Sequence, residues 1–209
     1  MKTWSQFYDF VLPELPGVDT PLVDIFLRNT AIDFCEETWS LMADMDTIST
    51  VAAVYEYDLD SPESGVEVFA IKKAWIDSAP IDPISMDDLW AASTDWKTSS
   101  GKPSYFAQQE AFKVLLYAVP DAVYSLDLTA TLRPTTTALG VPDRFFADYR
   151  RQVSWGTMAA LMAQPAKPWS NPDRSAYYRK EYEAALTKST VLTNRARSRA
   201  AIQVTFRNF

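Results

Sequence analysis

Ser49-Thr50-Val51-Ala52-Ala53-Val54-Tyr55-Glu56-Tyr57-Asp58-Leu59, then Ser61-Pro62-Glu63-Ser64-Gly65, then Val66 to Ile76, is the stretch in which this chain changes period. Partial alternation and β-branched and aromatic residues predict two strands, with the Pro- and Gly-containing segment as a longish turn between them. The expectation is a β-hairpin. Pro80 and Pro83 then break the chain, and Ser85 with Asp88 three residues on opens a short helix to about Ala92. Ser99 to Pro103 is a second turn cluster. In Tyr105 to Ala118, Phe106, Phe112, Val114 and Leu116 suggest strands on either side of a polar turn at Gln108 to Glu110, with helix the rival reading of 105–117. Val123 to Leu132 supplies a further strand, with Tyr124, Leu126 and Leu128 on one face.

On both sides the period is helical. Residues 3–12 read as a short helix stopped by Pro13, Pro16 and Gly17. Asp19 or Thr20 then caps a helix with Pro21 at its start and Asp24 in its first turn. Leu22, Ile25, Phe26, Ile32, Cys35 and Trp39 read as its buried stripe, with Cys35 a small core residue and Trp39 a packing residue. From Pro142, Phe145, Phe146, Tyr149, Val153, Gly156, Met158 and Leu161 trace one helix face. Gly156 in mid-helix costs about 1 kcal/mol relative to Ala, a cost that suggests a close helix crossing. After the linker Gln164 to Trp169, Asn171, Pro172 and Asp173 start a helix expected to run to about Ala200.

These elements predict an α+β chain: an α-helical bundle with a small antiparallel β module inserted, and a long C-terminal helix ending in a terminal strand. The expected division is a discontinuous bundle of 1–48 and 138–200, a β-rich module of 49–137, and a C-terminal docking strand of 201–209.

Composition narrows the chemistry. The 209 residues include no His and one Cys, so no Ser-His-Asp triad, Cys-His dyad, internal disulfide or multi-cysteine metal site is available. Five Gly leave no phosphate loop, since Trp96 stands where the first Gly of a loop ending at Gly101-Lys102 belongs. The carboxylates Glu36-Glu37, Asp44 and Asp46, Asp58 and Asp60, and Asp87-Asp88 read as solvated surface. The expectation is therefore no catalytic residue, no metal, no cofactor and no enzyme. Met1 to Gln6 leads into aromatic and acidic residues, and no apolar run is long enough to span a bilayer, so the chain is expected to be soluble, without a membrane partner.

Charge is unevenly spread. Residues 1–100 carry 19 acids and five bases, residues 101–209 eight acids and 15 bases, which is −14 against +7 within the total of −7. Such a split suits oriented contact between subunits. The chain ends with Arg195, Arg197 and Arg199, then Ile202, Val204, Phe206, Arg207 and Phe209, an alternation that suits strand addition to a partner's sheet edge, with completion of this chain's own sheet as the rival reading. The same arginines support an alternative, a nucleic-acid-binding module on the basic C-terminal helix, although their spacing of two fans them around a helix.

The order of Leu12-Pro13-Glu14-Leu15-Pro16-Gly17, Leu27 to Thr38, Tyr55-Glu56-Tyr57-Asp58-Leu59, Pro142-Asp143, Trp155-Gly156-Thr157-Met158-Ala159-Ala160-Leu161-Met162 and Lys167-Pro168-Trp169-Ser170-Asn171-Pro172 resembles the head-to-tail adaptor proteins of tailed bacteriophages. The likeness covers nearly the whole chain and points to the tail tubular protein A type of short-tailed phages. The family usually has Gly-Ala where this chain has Gly156-Thr157. The resemblance implies a structural virion protein at the head-tail junction, assembled in the host cytoplasm as a ring of twelve copies. Its partners would be the portal protein, the next tail or nozzle protein, and genomic DNA passing through the lumen without sequence-specific binding. Arg195, Arg197, Arg199, Ile202, Val204, Phe206, Arg207 and Phe209 are the expected portal-binding residues, and Trp39, Gly156 and Trp169 the helix-packing ones.

Overall fold

The computed structural model describes residues 1–92 and 94–195. In chain order the elements are β1 (Lys2–Thr3), α1 (Tyr8–Val11), α2 (Thr20–Thr38), β2 (Met42–Asp44), β3 (Ile48–Ser49), β4 (Glu56–Asp58), β5 (Val66–Ile76), β6 (Ala79–Pro83), α3 (Met86–Ala92), β7 (Ser100–Gly101), β8 (Tyr105–Ala107), β9 (Lys113–Tyr117), β10 (Val119–Pro120), β11 (Ser125–Pro134), β12 (Gly140–Val141), α4 (Asp143–Met162) and α5 (Pro172–Asn194). They form two compact units, Leu41–Thr135 and the rest of the chain.

In the helical unit, α2 packs on both α4 and α5. Its buried residues are Val23, Leu27, Thr30, Ala31, Phe34, Cys35 and Thr38, spaced at three and four as one helix face requires. This corrects the expected stripe: of its six residues only Cys35 is on the buried side, and Ile25 and Trp39 are 44% and 36% exposed. Helix α2 carries apolar residues on two faces, and periodicity does not say which face the rest of the unit covers. Trp39 instead ends the helix in the left-handed region, with φ 52°. Phe34 is the hub, its ring 6.0 Å from Phe145, 5.0 Å from Tyr149 and 6.2 Å from Tyr182. At the start of the chain Trp4 donates its indole N–H to the Ala138 carbonyl at 2.8 Å and anchors β1 against β12.

Local signals set the helix starts. The Asn171 side chain accepts from the Arg174 backbone N–H at 3.1 Å, with Pro172 in the first turn. Ser85 Oγ accepts from the Asp88 N–H at 3.0 Å and donates to the Asp88 carboxylate at 2.6 Å, which opens α3. Among the described residues α5 runs to Asn194, with Arg195 as its non-helical cap, and the remainder of its expected course to Ala200 lies outside them.

The sheet unit overturns the expected fold class. It is not a small antiparallel module inserted in a helical bundle but a large, curled, mixed sheet. Seven strands run in the order β2-β11-β5-β6-β8-β9-β4, and β3 also pairs with β11. The β6–β8 pairing is parallel, with Asp82 opposite Tyr105. The expected hairpin does not form either. Strand β5 has its expected bounds, but its neighbours are β11 and β6. Within the stretch read as its partner only β3 and β4 are extended, and they pair with β11 and β9. Between those two strands Ala53 takes φ 64° and Tyr57 Oη bonds the backbone of Val51 and Val54, which closes a turn where a strand was expected.

Curling has a visible cause. Along the β11–β5 ladder Thr129 pairs with Lys73 and Ala130 with Ile71, then Thr131 with Ala70 and Leu132 with Val68, so Lys72 and Phe69 are extra residues in β5. Each extra residue bends its strand and increases the local twist. It also shifts the alternation, so that Val66 and Val68 and then Ile71, Ala74 and Ile76 all reach the buried face. There they meet Leu126, Leu128, Ala130 and Leu132 of β11.

Candidate docking surfaces

Helices α4 and α5 run antiparallel, since Asn171 N bonds Met162 O at 3.0 Å and Ser175 Oγ bonds Ala159 O at 2.7 Å. Between them lies an open groove of about 530 Å³. Its sides include Trp155 and Leu192, and α5 contributes the small residues Ala184, Ala185 and Ser189. Glu181 and Lys188 stand along it. The Arg151 guanidinium lies 5.9 Å from the Trp155 ring centroid.

Gly156 sits where α4 meets α2 and α5. A Cβ on it would stand 2.6 Å from Thr30 Cγ2 and 2.9 Å from Tyr182 Cε2, so only glycine permits this approach without a shift. Trp169 is 8% exposed, and its indole nitrogen has no hydrogen-bond partner among the described residues. It lines a hollow with Glu14 and Arg174, which pair with each other. Trp39, just past the end of α2, is exposed, as is Ile25 on the helix itself.

In the sheet unit a cleft of about 440 Å³ is lined by Tyr55, Trp90, Trp96 and Lys97. The Lys97 ammonium is 5.4 Å from the Tyr55 ring, 5.5 Å from Trp96 and 6.0 Å from Trp90, a cation held over aromatic faces. Trp90 is 48% exposed. Neither this cleft nor the α4–α5 groove was anticipated from sequence. The residues of each lie far apart in the chain.

Of the expected portal-binding residues Arg195 is exposed at the end of α5. Arg197, Arg199, Ile202, Val204, Phe206, Arg207 and Phe209 lie outside the described residues, as does the expected docking strand. The carboxylates do not gather: among the described residues no three His, Cys, Asp or Glu side chains are grouped to hold a metal ion. Asp44 accepts from Thr129 Oγ1 at 2.7 Å and Asp88 serves the α3 cap. Burial pushes the Cys35 thiol well above its ordinary value. No helix among the described residues is long and apolar enough to cross a membrane.

Charge divides with the fold. Fifteen of the 27 acids but only six of the 20 bases fall in 41–135, a formal −9 for the sheet unit against +2 for the remainder. Open grooves with exposed apolar and aromatic residues, on units of opposite formal charge, suit docking to other proteins. The family model of the SU10 adaptor protein matches residues 2–205, and the chain belongs to that family. It is a phage adaptor, a structural protein of the virion at the head-tail junction, with portal and tail partners and self-association as the family's general mode. No curated protein matches the chain.

Proposed function

We propose that this chain acts as an adaptor of the tail tubular protein A kind, with twelve copies forming a ring between portal and tail around the DNA channel. The observation that carries the reading is the adaptor-family match over residues 2–205. The division of charge supports it, because subunits with one acidic and one basic region attract head to tail, and such contacts close a ring when the rotation permits. An acidic lumen would repel phosphate and let DNA slide without sequence-specific binding. In this reading the C-terminal residues Arg195, Arg197, Arg199, Ile202, Val204, Phe206, Arg207 and Phe209 dock into the portal after assembly in the host cytoplasm, and the function is mechanical, not enzymatic.

The test is electron microscopy of the chain co-expressed with its portal protein, beside a chain truncated after Ala200. A ring on the portal that is lost or weakened by truncation is the expected result. An undiminished ring without residues 201–209 would remove the portal-docking role of that segment, and absence of any ring would remove the reading. Steep salt-dependent binding of the isolated subunit to DNA would favour a nucleic-acid-binding module instead.

A further inference from the structure

Strand β4 forms one end of the large sheet and pairs with β9. Leu116 N donates to Tyr55 O at 2.8 Å and Leu59 N to Phe112 O at 2.8 Å, so residues 55, 57 and 59 turn their backbone groups toward β9. By alternation the backbone groups of Glu56 and Asp58 face the other way, along an edge that no strand among the described residues covers.

The aromatic cleft lies beside the same edge. Tyr55 and Glu56, at the start of β4, line it together with Trp90 of α3, Trp96 and Lys97. The Tyr55 and Trp90 rings stand 5.3 and 5.9 Å from the Trp96 ring, both edge to face. Tyr57, which alternation turns to the other face of β4, is already engaged, its hydroxyl bonded to the backbone of the turn at Val51 and Val54.

We infer that the β4 edge and the cleft form one site, which takes an extended basic segment of a partner protein as an added strand and seats an apolar side chain of that strand against Trp90. Main-chain bonds to Glu56 and Asp58 supply affinity and the cleft supplies specificity. The reading above gives this chain's own basic, alternating C-terminal residues to the portal, so the strand comes from a separate protein; to that extent the inference rests on that reading.

Charge selects the occupant. Glu56, Asp58 and Asp60 are exposed along the edge, and Asp87 lies in the cleft. Lys113 and Lys97 stand nearby and are engaged, Lys113 with Glu56 at 2.9 Å and Lys97 over the Tyr55 and Trp96 rings. Four carboxylates against these two ammonium groups leave the site negative, and like charges set opposite one another across a strand pair are destabilising. The edge therefore rejects the same edge of a second copy and favours a strand with Arg or Lys opposite Asp58. Carboxylates by themselves would serve to guard an edge against self-pairing. They do not account for Trp90, 48% exposed beside that edge, and a large aromatic with an open face next to a pocket is the usual anchor of a protein interface.

The test uses the full chain and two labelled peptides, Thr-Arg-Thr-Arg-Thr-Phe-Thr and its reverse, which carry basic and aromatic side chains on one face and cover both strand directions. Fluorescence anisotropy is expected to show binding by one of them. Methylating one set of alternate backbone nitrogens in that peptide is expected to weaken binding about tenfold, by removing the bonds that face β4, while methylating the other set leaves it unchanged. Trp90→Ala is expected to weaken binding about fivefold with an unaltered circular dichroism spectrum. No binding by either peptide overturns the inference, equal effects of the two methylated sets overturn the added strand, and full affinity in Trp90→Ala overturns the role of the cleft. A peptide of this chain's own residues 195–209 is the last arm. If it binds more tightly than the probe and displaces it, the occupant is a second copy and the separate partner is overturned; weaker binding supports the partner. None of these measurements needs a ring, so their failure leaves the ring reading to the imaging described above.

Discussion

Gly156 and Thr30 meet at the crossing of α4 and α2 with no room for a methyl group between them, since a Cβ at Gly156 would lie 2.6 Å from Thr30 Cγ2. Ala in place of Gly gains about 1 kcal/mol of helix propensity, but forcing a methyl into a packed crossing costs about 1–3 kcal/mol, so overpacking wins. Gly156→Ala is expected to lower the urea midpoint. Adding Thr30→Ser, which removes Cγ2 and keeps the hydroxyl that lies 3.3 Å from Thr157 Oγ1, is expected to restore part of the loss. No recovery in the double variant would mean that Tyr182, not Thr30, is the obstacle.

The Asn171 cap on α5 allows a second measurement. Asn171→Ala removes the acceptor for the Arg174 N–H at an exposed helix start and is expected to destabilise the chain by about 1 kcal/mol, with Asn171→Asp close to the native chain. Thermal or urea unfolding followed by far-UV circular dichroism reads both, and an unchanged Ala variant would remove the cap from the account of α5.

Acid dependence is expected from Asp77, between β5 and β6. Its carboxylate accepts from the Ser125 N–H at 3.0 Å and from Lys102 Nζ at 2.9 Å, and these contacts, Ser125 foremost, hold it below its ordinary value. A carboxylate depressed by folding contributes stability that is present above its unfolded pKa and is lost as pH falls through its folded one. The contribution of Asp77 is therefore complete above about pH 4 and disappears below it. Urea midpoints across this window are expected to fall less steeply for Asp77→Asn than for the native chain, and parallel slopes would refute the linkage.

Cys35 provides a chemical probe. Fully buried and with its thiol pushed up by burial, it is expected to react with an aromatic disulfide reagent only after unfolding. Rapid labelling of the native chain would show that α2 opens on the timescale of the reaction.

Local signals were legible in the residues and distant ones were not. Asn171 with Pro172, and Ser85 with Asp88, mark helix starts because a cap is made within three residues. Strand β5 and the turn between β8 and β9 were legible because alternation and a polar interruption are contiguous in sequence. The partner of β5 was not, because its long antiparallel neighbour β11 begins some fifty residues later while a plausible strand partner stood a turn away. The buried face of α2 was misread for a related reason: one stripe is fully buried and the other only partly, yet both are apolar. Of the expected portal-binding residues only Arg195 falls among the described residues, and the two sides of the α4–α5 groove come from residues about 25 or more positions apart.

By itself the sequence determined where the main helices begin, which central segments are extended, how the charge is distributed and, through the order of weak motifs, a likeness to phage adaptors. Only the tertiary structure decided that the central segments form one curled mixed sheet, that two extra residues in β5 bend it, and that Thr30 lies against Gly156. Caps, turns and periodicity act over a few residues and are written in adjacent letters. Strand pairing and the choice of buried face depend on contacts between segments far apart in the chain, where several local solutions compete until packing selects one.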